Sequence, residues 1–296
     1  MDVKVLQKNL LELIRRTSCE LPLDVVRLLE KGHEKERKGS TAKYALEVIL
    51  DNIKLANQLS QPLCQDTGTI ICYAELPKWL DEATFKRTYE KAVVQATKVG
   101  YLRQNSVDSL TGKNSGNNLG PGSPVFHLST TKAKTLQVRM ILKGGGCENV
   151  GIQYSLPDAT IGAGRDLAGV RRCLLDAVQQ AQGKGCGPGI LGVCIGGDRS
   201  GGYVASKEEF FRPLDDVNPD KRLAGLENKI MKEANSLKIG PMGFGGRTTL
   251  LGVKITHRNR LPASFIVSVS YMCWAFRRNG FRLSESGKVS RWLYDS

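Results

Sequence analysis

Short apolar runs constrain this chain most. Thr69 to Leu76, Leu136 to Leu142, Ile190 to Ile195 and Ser264 to Met272 are too short for core helices, and such runs read as strands covered by other layers. Around them lie longer segments with helical periodicity. Leu6, Leu10, Leu13 and Ile14 recur at helical spacing, and Leu21 to Glu36 follows. Ser40 is a candidate N-cap for a helix carrying Tyr44, Ala45, Val48, Ile49 and Ile53, and Ala83 to Val99 forms another. Further strands are expected at Val125 to Leu128 and Thr249 to Ile255, with helices at Asp166 to Ala181, near Val204 to Phe211 and at Lys221 to Leu237. The strands at Thr249 and Ser264 are expected to close the core. The pattern predicts a mixed α+β protein, a helical N-terminal region followed by layered α/β subdomains with mixed sheets.

The segment from Thr111 to Pro124 holds Gly112, Gly116, Gly120, Gly122 and two prolines, so it is loop. It is a candidate boundary between two subdomains of the 1–296 chain, or a loop lining a site. No internal repeat is present.

The formal charge of +14 suits an anionic substrate, an acidic partner or nucleic acid. Lys and Arg are spread along the chain with no accompanying nucleic-acid-binding motif, so nucleic acid is not an expected partner. Residues 1–20 lack the continuous apolar stretch of a signal peptide, and no segment is long enough to span a bilayer. The expectation is a cytoplasmic protein without a membrane contact.

In that setting eight cysteines are thiols rather than a disulfide framework. Cys64 lies in Pro-Leu-Cys-Gln-Asp-Thr-Gly, Cys186 in Gly-Cys-Gly-Pro-Gly, and Cys273 directly after an apolar strand. Each sits at a loop–strand junction, where backbone amides can turn toward a ligating sulfur. Cys72, Cys173 and Cys194 fall inside strand or helix and read as core; Cys19 and Cys147 are open to either reading. The spacings match no compact metal motif, so position alone does not single out a ligand set.

Gly144-Gly145-Gly146 and Gly196-Gly197 follow strands without the patterns of nucleotide-binding loops, which leaves tight turns or carboxylate binding by backbone amides. Three scattered histidines argue against a zinc hydrolase or a Ser/His enzyme. Asp66, beside Cys64, is the best-placed carboxylate for acid–base chemistry, with turn capping as the alternative.

Taken together, Cys64-Gln65-Asp66-Thr67-Gly68, Lys143 to Gly146, the Cys186 loop with Gly196-Gly197, Gly243-Phe244-Gly245-Gly246, and Pro262 to Ala275 resemble the iron-sulfur hydro-lyase family. That family includes class I fumarases and the α subunit of L-tartrate dehydratase. The resemblance covers nearly the whole chain in matching order. It implies a [4Fe-4S] cluster on Cys64, Cys186 and Cys273 with one iron free of protein ligands, able to act as a Lewis acid on a small dicarboxylate. It further implies substrate contacts from Gln65, Asp66, Arg103, Gly144, Gly145 and Gly146, with Asp66 also placed in the catalytic role. An arginine fork and glycine amides suit carboxylates.

In single-chain members a second domain follows the third cysteine and contributes further arginines and the base. In two-subunit members it is a separate β polypeptide. The expectation is therefore the α subunit of a class I fumarate hydratase, inactive alone, completing its site with a β subunit in an (αβ)2 assembly. Tartrate dehydratase is the close alternative, and a non-catalytic metal-binding or nucleic-acid-binding module a more distant one. The chain departs from relatives in reading Cys-Gly-Pro at Cys186, where Cys-Pro-Pro is frequent, and in carrying Cys147 after the triple glycine, a feature similar to tartrate dehydratase α subunits.

Overall fold

A computed structural model describes residues 1–294. In chain order these form helices α1 (Val3–Cys19), α2 (Leu23–Lys35) and α3 (Thr41–Leu59), strand β1 (Thr69–Leu76), helix α4 (Glu82–Lys98), and strands β2 (Val125–Thr130) and β3 (Leu136–Lys143). Then come the short helix α5 (Gly145–Asn149), β4 (Ile152–Ser155), α6 (Leu167–Ala181), β5 (Gly189–Ile195), α7 (Arg199–Glu208) and α8 (Lys221–Ser236). Strands β6 (Leu250–His257), β7 (Ile266–Met272), β8 (Arg278–Leu283) and β9 (Val289–Trp292) complete the order.

Helix starts are set by local chemistry. Asp2, Asp81, Asp166, Asp198 and Asp220 each accept a backbone N–H of the first turn, at 2.6–2.8 Å for the shortest bond of each cap. Such caps contribute about 1 kcal/mol apiece. Ser40 accepts from the Lys43 N–H at 3.2 Å and starts α3 as the sequence predicts.

The chain divides into two compact units. The first takes Met1–Leu23, Asp51–Gly145 and the chain from Ala275 onward; the second takes Asp24–Leu50 and Gly146–Trp274. The glycine-rich segment 111–124 thus lies within the first unit, and the chain passes between units elsewhere.

In the first unit the sheet order is β2-β1-β3-β8-β9. Strands β1 and β2 are parallel because α4 carries the crossover between them; the other pairs are antiparallel. Leu10, Leu13 and Ile14 of α1 and Phe85 and Tyr89 of α4 are fully buried in its core. The Tyr89 ring meets Phe126 edge-on at 5.3 Å.

The second unit holds a sheet of order β4-β7-β5-β6, with parallel β5–β6 and antiparallel β4–β7 and β5–β7 pairs. Leu191 and Val193 face a core made with α6 and α8. Side chains alternate along a strand, so Gly192 faces α7, where a Cβ would collide with the Ser206 carbonyl. Ser206 and Ser270 share a hydrogen bond of 2.7 Å on that face. Among the described residues no helix is long and apolar enough to cross a membrane.

The mixed α+β architecture agrees with the sequence reading. The expectation that the strands at Thr249 and Ser264 close the core is corrected by the structure, in which β8 and β9 follow them. Strand β8 opens Arg278-Asn279-Gly280, a polar start that masks a buried strand, yet five of its six residues are buried. Phe281 is fully buried, pairs across β3 with Val138 and meets Trp292 edge-on. Phe281→Ala is expected to cost about 3–5 kcal/mol of stability in urea unfolding, the range for a buried aromatic truncation. A loss below about 1 kcal/mol would deny β8 this place in the core.

Candidate functional site

Antiparallel register builds one edge of the five-stranded sheet. Thr69 at the start of β1 pairs with Lys143 at the end of β3, and Ile141 of β3 pairs with Arg278 at the start of β8. The segments before β1, after β3 and before β8 therefore meet. Gly68 makes the closest approach: its φ is +78°, and a Cβ there would lie 2.5 Å from the Lys143 carbonyl carbon and oxygen. Only glycine accepts both the left-handed backbone and the contact.

That approach delivers Asp66. Its Oδ1 accepts from the Gly68 N–H at 2.8 Å and from Asn105 Nδ2 at 2.7 Å, and its Oδ2 accepts from the Gly145 N–H at 2.6 Å. The Asp66 carbonyl accepts from Arg277 Nη1 at 2.7 Å. Asp66 thus shapes the turn through Gly68 and also faces solvent, lining a cleft of about 420 Å³ with Gly145, Asn105, Asn118, Ser123 and their neighbours. The glycine-rich segment supplies one wall of that cleft through Asn118 and Pro121 to Ser123. Among the described residues, Asp66 is the one titratable side chain lining it.

Arg103 is tied to the same segment by its backbone. The Thr67 hydroxyl donates to the Arg103 carbonyl and accepts from its N–H, both at 2.9 Å, while Asn118 Nδ2 donates to that carbonyl at 2.8 Å. The guanidinium is exposed and, among the described residues, has no ion pair. Gln65 is exposed, Gly144 is buried beside Asp66, and Gly146 is exposed and belongs to the second unit. The Gly145 N–H is occupied by Asp66.

Cys64 is half-buried in the first unit, where its Sγ accepts the Asp66 N–H at 3.4 Å. The second unit gathers Cys147, Cys186 and Cys273 around Tyr271. Burial and the neighbouring Cys147, Cys273 and Cys186 thiols hold that phenol far above its usual pKa. The Cys273 N–H donates to Cys147 Sγ at 3.2 Å, and the Trp274 N–H donates to the Cys186 carbonyl at 3.2 Å. The Cys186 loop lies on the tyrosine: a Cβ on Gly185 would sit 2.5 Å from the ring, and one on Gly189 would overlap it. Cys186 itself has φ 51° and ψ 56°, a left-handed conformation rare for a side-chain-bearing residue. Beside it, the Met242 N–H donates to the Gly187 carbonyl at 2.9 Å. The buried Glu36 carboxylate accepts the N–H groups of Arg247 and Thr248, holding the Gly243–Gly246 loop in place.

The other four cysteines are wholly buried. Burial pushes the thiols of Cys19 and Cys194 up to about 11 and that of Cys173 up to about 12, and raises Cys72 further. They are neutral core residues, which settles Cys19. Among the described residues, no three His, Cys, Asp or Glu side chains converge on a single metal ion. A cubane cluster takes one thiolate per iron, so its ligands need not meet at a point. Cys64 with its donated N–H, and Cys186 and Cys273 on glycine-bounded or strand-end backbone, have the chemistry such a cluster requires.

Sequence reasoning missed Asn105, Asn118 and Arg277. Asn118 is buried at positive φ (62°) in the glycine-rich loop, a conformation asparagine tolerates. Arg277 is 1% exposed, and the available signal was an arginine pair inside an apolar C-terminal stretch. Gly68→Ala is expected to destabilise the first unit by about 3 kcal/mol, through left-handed strain plus the backbone clash. Gly100→Ala, also at positive φ but with open space around its Cβ, is expected to cost only about 1 kcal/mol. Equal losses in urea unfolding would show that the contact with Lys143 adds nothing.

Comparison with known proteins shows the family. The family model described as fumarate hydratase (fumerase) matches residues 7–282. A Geobacillus stearothermophilus protein carrying the name fumarate hydratase class I is 52% identical over 293 residues, 98% of this chain, and the chain spans 57% of that relative's length. A Methanocaldococcus jannaschii protein carrying the name L(+)-tartrate dehydratase subunit alpha is 31% identical over 283 residues, covering 94% of this chain and 97% of the relative. The L(+)-tartrate dehydratase subunit alpha of Escherichia coli K12 is 29% identical over 267 residues, 88% of this chain and 85% of the relative. With 276 consecutive positions inside the family model, residues 7 to 282, the chain belongs to the fumarate hydratase (fumerase) family.

Proposed function

We propose that this chain is the cluster-bearing α subunit of a class I fumarate hydratase, interconverting fumarate plus water with malate. The observation that carries the reading is the 52% identity to the Geobacillus relative across nearly the whole chain. The relatives named subunit alpha support a β polypeptide as partner. The proposed assembly is (αβ)2, in the cytoplasm, with the catalytic base on β.

Cys64, Cys186 and Cys273 would hold a [4Fe-4S] cluster. When bound, that group supplies Lewis acidity from an iron without a protein ligand. The chain's own residues then bind and orient the diacid. Asp66, immobilised by three donors, presents a fixed carboxylate at the cleft, where a proton can be held or passed at Oδ1 or Oδ2. The exposed Arg103 fork takes a substrate carboxylate in two parallel hydrogen bonds, and Gln65 offers its amide. Gly144 to Gly146 keep side chains away from this edge. Cys147 serves as acceptor for the Cys273 N–H and positions that ligand's backbone without itself ligating.

Anaerobic co-purification with the β polypeptide tests the reading. Iron and sulfide are expected in the wild type and in Cys147→Ser, and are expected to be lost in Cys64→Ser, Cys186→Ser and Cys273→Ser. Cluster loss in Cys147→Ser alongside retention in any of the other three would overturn the ligand set. Malate is expected to yield fumarate, followed by ultraviolet absorbance, and Asp66→Asn to lower kcat by about 10²–10⁴-fold, the usual range for a proton-handling group. Oxaloacetate formation from tartrate without fumarate formation from malate would transfer the assignment to tartrate dehydration.

A further inference from the structure

Helix α3 is apolar on two faces. Ala42, Leu46, Ile49, Ile53 and Ala56 are buried. Roughly opposite them, Tyr44, Val48, Leu55 and Leu59 form a second stripe that is 67, 49, 55 and 64% exposed. Isolated exposed apolar residues are ordinary, but four in register along one helix face mark an interaction surface. The occupant can be read from the stripe's symmetry. Its members are spaced four, seven and four residues apart, a pattern identical from either end.

We propose that this face pairs with α3 of a second copy of the chain, antiparallel, about a two-fold axis passing between Asp51 and Asn52. That axis sets Tyr44 against Leu59 of the other copy and Val48 against Leu55, an isologous contact of the kind two-fold dimers require. The flanking charges give an independent reason. Glu47, Asp51 and Lys54 are exposed along one side of the stripe, and Lys54 and Asp51 are 3.6 Å apart within the helix. In the antiparallel pairing each flank faces its own copy reversed, so each Lys54 falls between the other helix's Asp51 and Glu47, about two residues or 3 Å along the axis from each. A parallel pairing would instead set this charged flank against the uncharged flank of the other copy, Thr41, Ala45 and Asn52, and leave Lys54 without an acidic neighbour across the contact. The other flank, Thr41, Ala45 and Asn52, is uncharged. The contact gives the proposed (αβ)2 assembly its α–α surface, yet it depends on none of the hydro-lyase chemistry.

Sedimentation velocity over a concentration series, on the full chain alone and with its β polypeptide, tests this. A reversible dimer is expected, with Kd near the micromolar range given the modest area of one helix pair. Val48→Asp with Leu55→Asp is expected to weaken it by about a hundredfold or more, because the symmetric contact loses four apolar groups. Lys54→Glu alone is expected to weaken it by about tenfold, and adding Glu47→Lys and Asp51→Lys to restore it. That rescue excludes misfolding as the cause of the loss and requires both sides of the contact to come from this chain. A monomer at every concentration, a dimer indifferent to these variants, or protection of α3 from hydrogen exchange only when β is added would overturn the proposal, the last by giving the face to β. Cluster content and malate turnover report separately on the function.

Discussion

The approach of Gly68 to the Lys143 carbonyl is the constraint on which the first unit's functional edge rests. Strand register alone brings the ends of β1 and β3 together, but any side chain at position 68 would hold the preceding loop away from β3. Without that closeness the Asp66 carboxylate would not reach the Gly145 N–H, and Asn105 would lose the acceptor that ties its loop to the sheet. One missing methyl group therefore organises three chain segments, and the cleft is what remains between them.

Charge is distributed less simply than composition suggests. Lys143, Arg277 and Arg278 are each at most 1% exposed, so part of the +14 is interior. Arg278 lies over the rings of Phe276 and Tyr294 at 4.5 and 4.9 Å, an arrangement that offsets some of the lost hydration. Arg277 gives one guanidinium nitrogen to the Asp66 carbonyl, while its Nε has no hydrogen-bond partner among the described residues. Such burial is costly unless geometry compensates, which places these cations with the architecture of the edge rather than with a surface that attracts anions.

The fold was largely legible because its signals are local. Apolar runs marked β1, β3, β5 and β7, and helical spacing with an N-cap marked α3. The site was legible in parts: Cys64, Asp66 and Gly145 stand in compact motifs, and their adjacency follows from strand pairing. Strand β8 was hidden by its arginine and asparagine: Arg278 is buried with its guanidinium over the rings of Phe276 and Tyr294, and such packing of a cation leaves no mark in a hydropathy pattern. Arg277 and Asn118 escaped for the same reason. Cys147 was ambiguous because its part, accepting the Cys273 N–H, exists only once residues far apart in sequence have met.

Tyr271 links loop and strand in a way that bears on motion. The Cys186 loop is moulded onto its ring through Gly185 and Gly189, and Cys273 follows it by two residues at the end of β7. Both sulfurs therefore take their positions from one rigid, buried plate. A shift of that close-packed ring would therefore displace the loop and the strand end together.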